Sequence, residues 1–307
     1  MNYLVTGSSG LIGSALVDAL AADGHTVVRL VRGARRPANS VVSDITWDPA
    51  AGRLDHATLQ AAGPFDGVVH LAGAGIGDKR WTPARRTELL ESRTRSTALL
   101  VEALVACDPR PPVLVSASAV GFYGDGGDAP LTEASPSGAG LLAEICRQWE
   151  AATAPAAAAG IRTVLLRTGI VLAASGGVLG KQLPLFRVGL GGRMGSGRQV
   201  RSWITLDDEI RAIRHCLDDS SLSGPVNATA PAPATDAELA RALGAALHRP
   251  AALPVPAAAL KVALGGEMAT EMVLTGQRVL PERLLASGFT FAHPDLPGAL
   301  AAVLSGG

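Results

Sequence analysis

A glycine-rich segment near the start of the chain carries the clearest chemistry. From Thr6 to Gly13 it reads Thr-Gly-Ser-Ser-Gly-Leu-Ile-Gly, directly after an apolar stretch and directly before a helical pattern. Glycines at this spacing let the backbone turn tightly and approach a pyrophosphate, and the following helix offers free N–H groups. The pattern predicts a dinucleotide-binding turn, with a purely structural turn as the alternative. The residues expected to contact the cofactor here are Gly7, Ser9, Gly10, Leu11, Ile12 and Gly13.

The segment after the second predicted strand is basic. It reads Leu-Val-Arg-Gly-Ala-Arg-Arg from Leu30 to Arg36. An NAD site usually has a carboxylate here, which would repel a 2′-phosphate, whereas a guanidinium binds a phosphate bidentately. Arg32 and Arg35 therefore predict NADP(H) as the cofactor. The alternative is a solvated basic turn.

Apolar segments that alternate with helical patterns must position these residues. Five nearly continuous apolar runs predict strands at Asn2–Thr6, Thr26–Val31, Gly67–Leu71, Val113–Ser116 and Thr163–Leu166. Helical patterns between them lie at Leu11–Ala22, Pro83–Ala106 and Ala139–Ala158. Buried parallel strands that alternate with helices predict an α/β fold, a Rossmann-type doubly wound sheet.

A change of composition after about residue 172 predicts a second unit. Glycine-rich loops come first, and an Ala/Pro-rich helical region follows. We expect residues 1–172 to form the nucleotide-binding domain, with residues 206–228 returning to it. Residues 173–205 and 229–307 are expected to form a smaller C-terminal α/β lobe that binds the substrate.

The composition excludes several classes of protein. The 307 residues have a formal net charge of zero, which argues against a nucleic-acid-binding face. The sequence contains no apolar run long enough for a membrane span, and its start lacks a signal-peptide pattern. The three cysteines have no disulfide or metal-ligand spacing, so no metal site is expected. We expect a cytoplasmic monomer or homodimer whose partner is a small-molecule substrate.

Several longer blocks give the chain a family resemblance. It resembles the extended short-chain dehydrogenases/reductases, and within them the atypical epimerase-like branch with a small C-terminal domain, some of whose members carry a cell-division-inhibitor label. One departure is Thr205, which stands where the branch has a histidine in a Trp-Ile-His motif. The blocks that carry the resemblance include His70–Gly73, Arg80–Thr82, Glu91–Arg93, Ser116–Gly124, Trp149–Ala152, Leu166–Leu172, Gly224–Pro231 and Val279–Arg283.

The resemblance implies catalysis by Ser, Tyr and Lys, with the lysine four residues after the tyrosine. Alignment back from the Trp-Glu block places Leu142 at the tyrosine position and Cys146 at the lysine position. The usual acid/base pair is therefore missing from a chain with only two tyrosines and three lysines. Ser118 is retained as a catalytic residue. Tyr123 is the candidate proton donor, with a loop-packing aromatic as the alternative.

Further positions follow from the strand ends and from the resemblance. Leu71, Ala72 and Gly73 end the third predicted strand, where small residues pass beside a cofactor. Similarity places Glu88, Arg93 and Val171 near the nicotinamide ribose. The alternative for Glu88 and Arg93 is that they belong to a salt-bridged helix face without contact to a cofactor. Resemblance and loop placement indicate a set of residues that would contact the substrate. The alternative for its aromatic members is that they are core residues. The set is Arg80, Trp81, Lys181, Arg193, Gln199 and Trp203.

These inferences converge on one expected activity and two alternatives. The expected activity is that of an NADP(H)-dependent oxidoreductase that transfers hydride to or from a small carbonyl, alcohol or sugar-like substrate. The first alternative is a nucleotide-sugar epimerase, which would need proton exchange in both directions. The second is an NADP-binding regulatory protein without turnover.

Overall fold

The centre of the computed structural model, which describes residues 1–33 and 41–305, is one large sheet. The strands of the described residues are β1 (Asn2–Thr6), β2 (Thr26–Val31), β3 (Val42–Asp48), β4 (Arg53–Leu54), β5 (Gly67–His70), β6 (Val113–Ala119), β7 (Pro130–Leu131), β8 (Arg162–Thr168), β9 (Ile170–Leu172), β10 (Val200–Arg201), β11 (Trp203–Thr205), β12 (Gly224–Ala228), β13 (Ala234–Thr235) and β14 (Arg278–Val279). The sheet has eight strands in the order β12-β8-β6-β5-β1-β2-β3-β4. Its neighbours pair in parallel except for β4, which pairs antiparallel with β3.

Helices cover both faces of the sheet and build the second lobe. They are α1 (Leu11–Ala22), α2 (His56–Ala62), α3 (Pro83–Ala106), α4 (Leu141–Ala151), α5 (Ala154–Ala158), α6 (Gly177–Arg187), α7 (Leu206–Asp218), α8 (Asp236–Ala246), α9 (Ala257–Leu264), α10 (Gly266–Ala269), α11 (Glu282–Ala286) and α12 (Leu296–Ser305). A short 3-10 helix at Val120–Tyr123 and a π-helical turn at Thr270–Leu274 complete the helical elements. The fold class predicted from the alternating pattern is confirmed.

One predicted helix is divided in the structure. The segment expected to be helical from residue 139 to 158 forms α4 and α5, with a break around Thr153. Pro155 explains the break, because proline lacks the N–H that a continuing helix needs and instead fits the first turn of a new helix.

Two apolar cores lie on opposite faces of the sheet. Consecutive residues of β1 show the alternation, since Leu4 packs in one core and Val5 in the other. Leu16 of α1 and Ile213 of α7 belong to the core of Val5, whereas Leu100 of α3 belongs to the core of Leu4. The sheet is thus a fixed platform whose carboxyl edge faces one side of the molecule.

A third apolar core lies beyond that edge, formed by side chains of α6, α8 and α12 around the buried Trp203. We call the elements around this core the second lobe. Residues 206–228 return to the large sheet, because they contain α7 and β12, and β12 pairs with β8. Small pairings, β9 with β11 and β7 with β14, connect the lobes. Among the described residues no helix has the length and apolar character that crossing a membrane requires.

Candidate active site

The glycine-rich turn has the geometry of a phosphate cradle. Gly7 has a positive φ of 68°, and a Cβ atom there would lie 2.5 Å from the carbonyl oxygen of Leu71. A Cβ atom on Gly13 would lie 2.2 Å from the carbonyl oxygen of Gly7. Helix α1 starts after Gly10 without a side-chain cap, so the N–H groups of its first turn are open to a ligand. The turn therefore fits the pyrophosphate of a dinucleotide.

A cavity of about 570 Å³ extends from this turn to the second lobe. It lies at the carboxyl ends of β1, β6 and β8, where ligands bind in open α/β sheets. The residues of the predicted cofactor set that line it are Gly7, Gly10, Leu11, Ile12, Gly13, Leu71, Arg93 and Val171. The remaining described members, Ser9, Arg32, Ala72, Gly73 and Glu88, lie outside the wall of this cavity.

An open groove of about 890 Å³ lies at the other end of the predicted cofactor path. Arg32 lines it together with Trp47 and Arg53, which belong to β3 and β4. Glu88 is about half exposed and pairs with Arg85 at 2.7 Å. The pKa of Glu88 is lowered mainly by the hydrogen bond from Arg85, with a smaller contribution from the charge of Arg32. Arg35, the other predicted phosphate ligand, lies outside the described residues.

Ser118 lies at the wall of the main cavity, and its hydroxyl donates to a largely buried carboxylate. Its Oγ lies 2.6 Å from Oε1 of Glu150. Arg167 binds the same carboxylate with two hydrogen bonds, from Nε to Oε1 at 2.8 Å and from Nη2 to Oε2 at 2.9 Å. Ser118 and Arg167 are register partners on the neighbouring strands β6 and β8. Sequence reasoning missed this pairing, because the three residues come from three elements.

Tyr123 lies behind Ser118 and not in the cavity wall. Its side chain is buried, and its hydroxyl donates to Oδ1 of Asn227 at 2.7 Å and accepts from Nη1 of Arg167 at 3.0 Å. Burial raises the pKa of this hydroxyl. The geometry therefore argues against direct proton donation by Tyr123 and places its hydroxyl in the network that holds Arg167.

The positions of the missing acid/base pair are apolar parts of the wall. Leu142 and Cys146, both on α4, line the cavity. Burial, and next the charge of Glu150, raise the pKa of the Cys146 thiol to about 11. The thiol is therefore protonated at neutral pH and is a poor nucleophile.

Arg93 supplies a buried cation beside Cys146. Two of its guanidinium nitrogens donate to the carbonyl oxygens of Leu89 and Ala74, at 2.9 Å and 3.0 Å. Burial lowers its pKa to about 10, so it is charged at neutral pH. Its Cζ lies 4.9 Å from the ring centroid of Trp149. Within the described residues, neither Nε of Arg93 nor Nε1 of Trp149 has a hydrogen-bond partner.

The structure does not bring the two nominated tryptophans to the cavity. Trp203 is completely buried in the core of the second lobe, and its indole donates to the carbonyl oxygen of Ala232 at 3.1 Å. Trp81 packs in a small core with Leu89, and its indole donates to the carbonyl oxygen of Ile76 at 3.0 Å. Their indole nitrogens are engaged inside the protein, so neither ring is open to stack on a substrate.

The four polar residues of the predicted substrate set lie outside the wall of the cavity, where they bind other parts of the protein. Arg80 donates to two carbonyl oxygens near the end of α9. Lys181 is largely exposed and lies 4.0 Å from Asp78. Arg193 donates to the carbonyl oxygen two residues later in its loop. Gln199 donates to carbonyl oxygens of its own loop and of the π-helical turn, at 2.8 Å and 3.1 Å.

Other polar residues occupy the end of the cavity next to the second lobe. Arg201 and Asp236 form a buried ion pair in which Nε lies 3.1 Å from Oδ1. Glu271 accepts from the backbone N–H groups of Leu141 and Leu142, both at 2.9 Å, and so caps α4 from the other lobe. No local pattern marks Glu271, since its partners lie about 130 residues away. The described residues hold no cluster of His, Cys, Asp and Glu suited to a metal ion.

The fold, the glycine turn and the cavity define a protein of the Rossmann-type dinucleotide-binding class. Comparison with known proteins agrees, because the model of the NAD dependent epimerase/dehydratase family matches residues 3–228. A second family model, a domain of unknown function (DUF1731), matches residues 255–303. The chain belongs to the NAD dependent epimerase/dehydratase family, and the predicted family resemblance is confirmed.

Relatives and solved structures extend this likeness over the whole chain. An epimerase family protein of Mycobacterium tuberculosis is 46% identical over 96% of this chain and 95% of its own length. The crystal structure of human epimerase family protein SDR39U1 (isoform2) with NADPH aligns with a TM-score of 0.87 and 34% identity, over 99% of both chains. MoeE5 in complex with UDP-glucose and NAD is 23% identical, with a TM-score of 0.78 over 99% of this chain and 98% of its own. That last likeness concerns the fold alone.

Proposed function

We propose that this protein is an NADP(H)-dependent oxidoreductase that transfers hydride to or from a small carbonyl or alcohol substrate. The observation that carries the proposal is the location of Ser118 in the wall of the cavity that also contains the glycine turn. When bound, the cofactor supplies the hydride donor or acceptor. Residues 173–205 and 229–307 are proposed as the substrate lobe, since Arg201, Asp236 and Glu271 close the cavity from that side.

The choice of NADP(H) has three supports. The first turn of α1 and the glycines before it would hold the pyrophosphate. Arg32 stands exposed at the end of β2, where NAD-binding proteins of this fold place a carboxylate, and would hold the 2′-phosphate. The related human SDR39U1 was solved with NADPH.

Ser118 would contact the reacting oxygen of the substrate. Its own proton is donated to Glu150, so the lone pairs of its Oγ are available to accept a hydrogen bond from a substrate hydroxyl. During oxidation, the substrate hydroxyl would pass its proton to Ser118 as Ser118 passes its proton to Glu150. Hydride would leave the substrate carbon for NADP⁺. Reduction would reverse each transfer.

Arg167 and Tyr123 would act as positioning residues in this scheme. Arg167 holds both carboxylate oxygens of Glu150, and the hydroxyl of Tyr123 accepts a third hydrogen bond from the same guanidinium. The two hydrogen bonds from Arg167 would fix the orientation of the carboxylate toward Ser118. This arrangement would replace the missing Tyr/Lys pair with a serine and a fixed carboxylate.

Substitution of Ser118 tests the proposal. The assay follows NADPH oxidation with a panel of aldehydes and ketones, and NADP⁺ reduction with the matching alcohols. Ser118→Ala should lower kcat by about 100-fold or more, because it removes the group that exchanges the proton, while the Kd for NADPH stays close to that of the wild type. Ser116→Ala is the matched control, since Ser116 is buried on the same strand and its Oγ has no hydrogen-bond partner among the described residues.

Three outcomes would replace the proposal. Tight NADPH binding without turnover of any carbonyl or alcohol would indicate a cofactor-binding regulatory protein. Inversion of a sugar centre with no net consumption of NADPH would indicate an epimerase. Equal turnover by the wild type and Ser118→Ala would remove Ser118 from the reaction.

A further inference from the structure

The cavity wall beyond the glycine turn is mainly apolar, and we propose that the substrate is a small, uncharged, apolar carbonyl or alcohol compound rather than a nucleoside-diphosphate sugar. This inference rests on the proposed oxidoreductase function and names the substrate class of the same site. Aliphatic and thioether side chains from both lobes form this part of the wall. They include Leu142, Met194, Leu239 and Met272.

The cations in this wall are already engaged. Arg93 and Arg201 are the basic residues that line the cavity within residues 1–33 and 41–305. Arg201 pairs with Asp236 and also donates to three backbone carbonyl oxygens of the 272–275 segment. Arg93 donates to two backbone carbonyl oxygens. Neither guanidinium presents the open pair of N–H groups that binds a phosphate bidentately.

The carboxylates in the wall balance these cations. Asp236 and Glu271 line the same cavity as the two arginines, so the formal charge of its side chains is zero. A diphosphate that entered would lose its hydration without gaining an opposite charge, and such burial is costly.

The N-termini of α4, α6 and α8 at the cavity do not offer a diphosphate site on the substrate side. At the start of α8 the N–H groups of Asp236 and Ala237 already donate to backbone carbonyl oxygens, and that of Glu238 donates to the hydroxyl of Thr235. The first N–H groups of α4 already donate to Glu271. Helix α6 also begins in the wall, but a Cβ atom on Gly177 would lie 3.4 Å from a methyl group of Leu11. That distance places the start of α6 beside the glycine turn, at the cofactor end of the cavity. Anion-binding capacity is thus concentrated where the cofactor would lie.

Two uncharged side chains of the wall have an N–H group that no strong acceptor occupies. In the described part of the chain the indole N–H of Trp149 has no partner, although its nitrogen atom is buried. The side-chain amide of Gln182 donates to the sulfur atom of Met194 at 3.9 Å, a weak interaction. Such groups suit one or two acceptor oxygens on an otherwise apolar molecule. The volume of about 570 Å³ includes the glycine turn, so cofactor and substrate share it, and the substrate must be small.

Binding measurements on the full chain saturated with NADPH test this substrate class without turnover. The probes are 2-heptanone and cyclohexanone on one side, and UDP-glucose and UDP on the other, each titrated by calorimetry. We expect the ketones to bind at least about tenfold more tightly than UDP-glucose. Met272→Arg, which places a charge in the partly exposed wall, should weaken ketone binding at least about tenfold and leave the Kd for NADPH within about twofold. Val262→Arg is the matched control, because Val262 is 75% exposed and lies outside the cavity wall.

Tighter binding of UDP-glucose than of both ketones would overturn the inference, and so would unchanged ketone binding in Met272→Arg. No detectable ketone binding would overturn it as well. Ketone binding without NADPH oxidation would support the substrate class while contradicting the proposed oxidoreductase activity. Reduction or oxidation of a sugar nucleotide would support the oxidoreductase activity while contradicting the substrate class. The failure of the substrate class is therefore distinguishable from the failure of the proposed activity.

Discussion

At the scale of single residues, Glu209 behind the cavity floor is the clearest case of a perturbed ionisable group. Its side chain is completely buried, and it accepts a hydrogen bond from the hydroxyl of Thr168 at 2.8 Å. Burial raises its pKa to about 8 from an ordinary value of 4.5. Between these pH values the folded protein holds one proton more than the unfolded chain, so the free energy of unfolding falls as the pH rises.

Glu209→Gln should remove this loss of stability. Because each unit of pKa difference corresponds to about 1.4 kcal/mol, we expect the wild type to lose roughly 3–5 kcal/mol relative to the variant between pH 5 and pH 8. Urea unfolding at both pH values measures the difference. Glu102→Gln, at an exposed position, should follow the wild type. Parallel pH curves for the wild type and Glu209→Gln would show that Glu209 is ionised in the folded protein.

Residue-scale prediction is most direct where the chemistry is local. The glycine turn is contained in eight consecutive residues, and most of its members line the cavity. The substrate residues are harder to predict from the sequence. For Trp203, the acceptor of the indole N–H lies 29 residues away in the second lobe. The carbonyl oxygens that bind Arg80 lie more than 180 residues away. Spacing in the sequence does not reveal such partners.

At the scale of elements, two glycines at the junction of β1 and α1 differ in their backbone conformation and in the space around them. Gly7→Ala would strain a positive φ and press a methyl group against a backbone oxygen, so we expect a loss of about 2–3 kcal/mol in stability. Gly10 has a φ of −79°, and the nearest atom to a Cβ there lies 3.4 Å away. Gly10→Ala should therefore fold with nearly wild-type stability but bind NADPH more weakly, since its methyl group would face the proposed pyrophosphate site.

Urea unfolding and fluorescence titration with NADPH separate these two effects. A Gly7→Ala variant as stable as Gly10→Ala would contradict the steric argument. Wild-type NADPH affinity in Gly10→Ala would contradict the location of the pyrophosphate.

Element-scale prediction depended on how continuous the apolar pattern is. The fully buried strand β5 was visible as an uninterrupted apolar run, and the structure ends it at His70, one residue earlier than predicted. Strand β3 was not predicted, because polar residues such as Ser43 and Asp44 interrupt its pattern. Asp44 is nevertheless compatible with a buried strand, since it pairs with Arg29 on the neighbouring β2 at 2.6 Å. Cross-strand ion pairs of this kind cannot be recognised before the strand order is known.

At the scale of the whole molecule, one carboxylate joins the π-helical turn at Thr270–Leu274 to α4 beside the large sheet. Glu271 caps α4, whose preceding residue Gly140 provides no side chain for this purpose. Glu271→Ala should lower the free energy of unfolding by about 1–2 kcal/mol, because two N–H groups and the positive end of the helix dipole lose their partner. It should also increase amide hydrogen exchange in the first turn of α4, since the two lobes would separate more readily there.

Thr235→Ala is the control that distinguishes loss of a cap from loss of a contact between lobes. Thr235 forms a capping box with Glu238 at the start of α8, entirely inside the second lobe. Its removal should cost about 1 kcal/mol and leave exchange in α4 unchanged. Hydrogen-exchange mass spectrometry of both variants resolves the difference. If Glu271→Ala leaves exchange in α4 as slow as in the control, the lobes are held together without this carboxylate, and the apolar wall contributed by Met272 and Leu239 must provide the closure of the cavity.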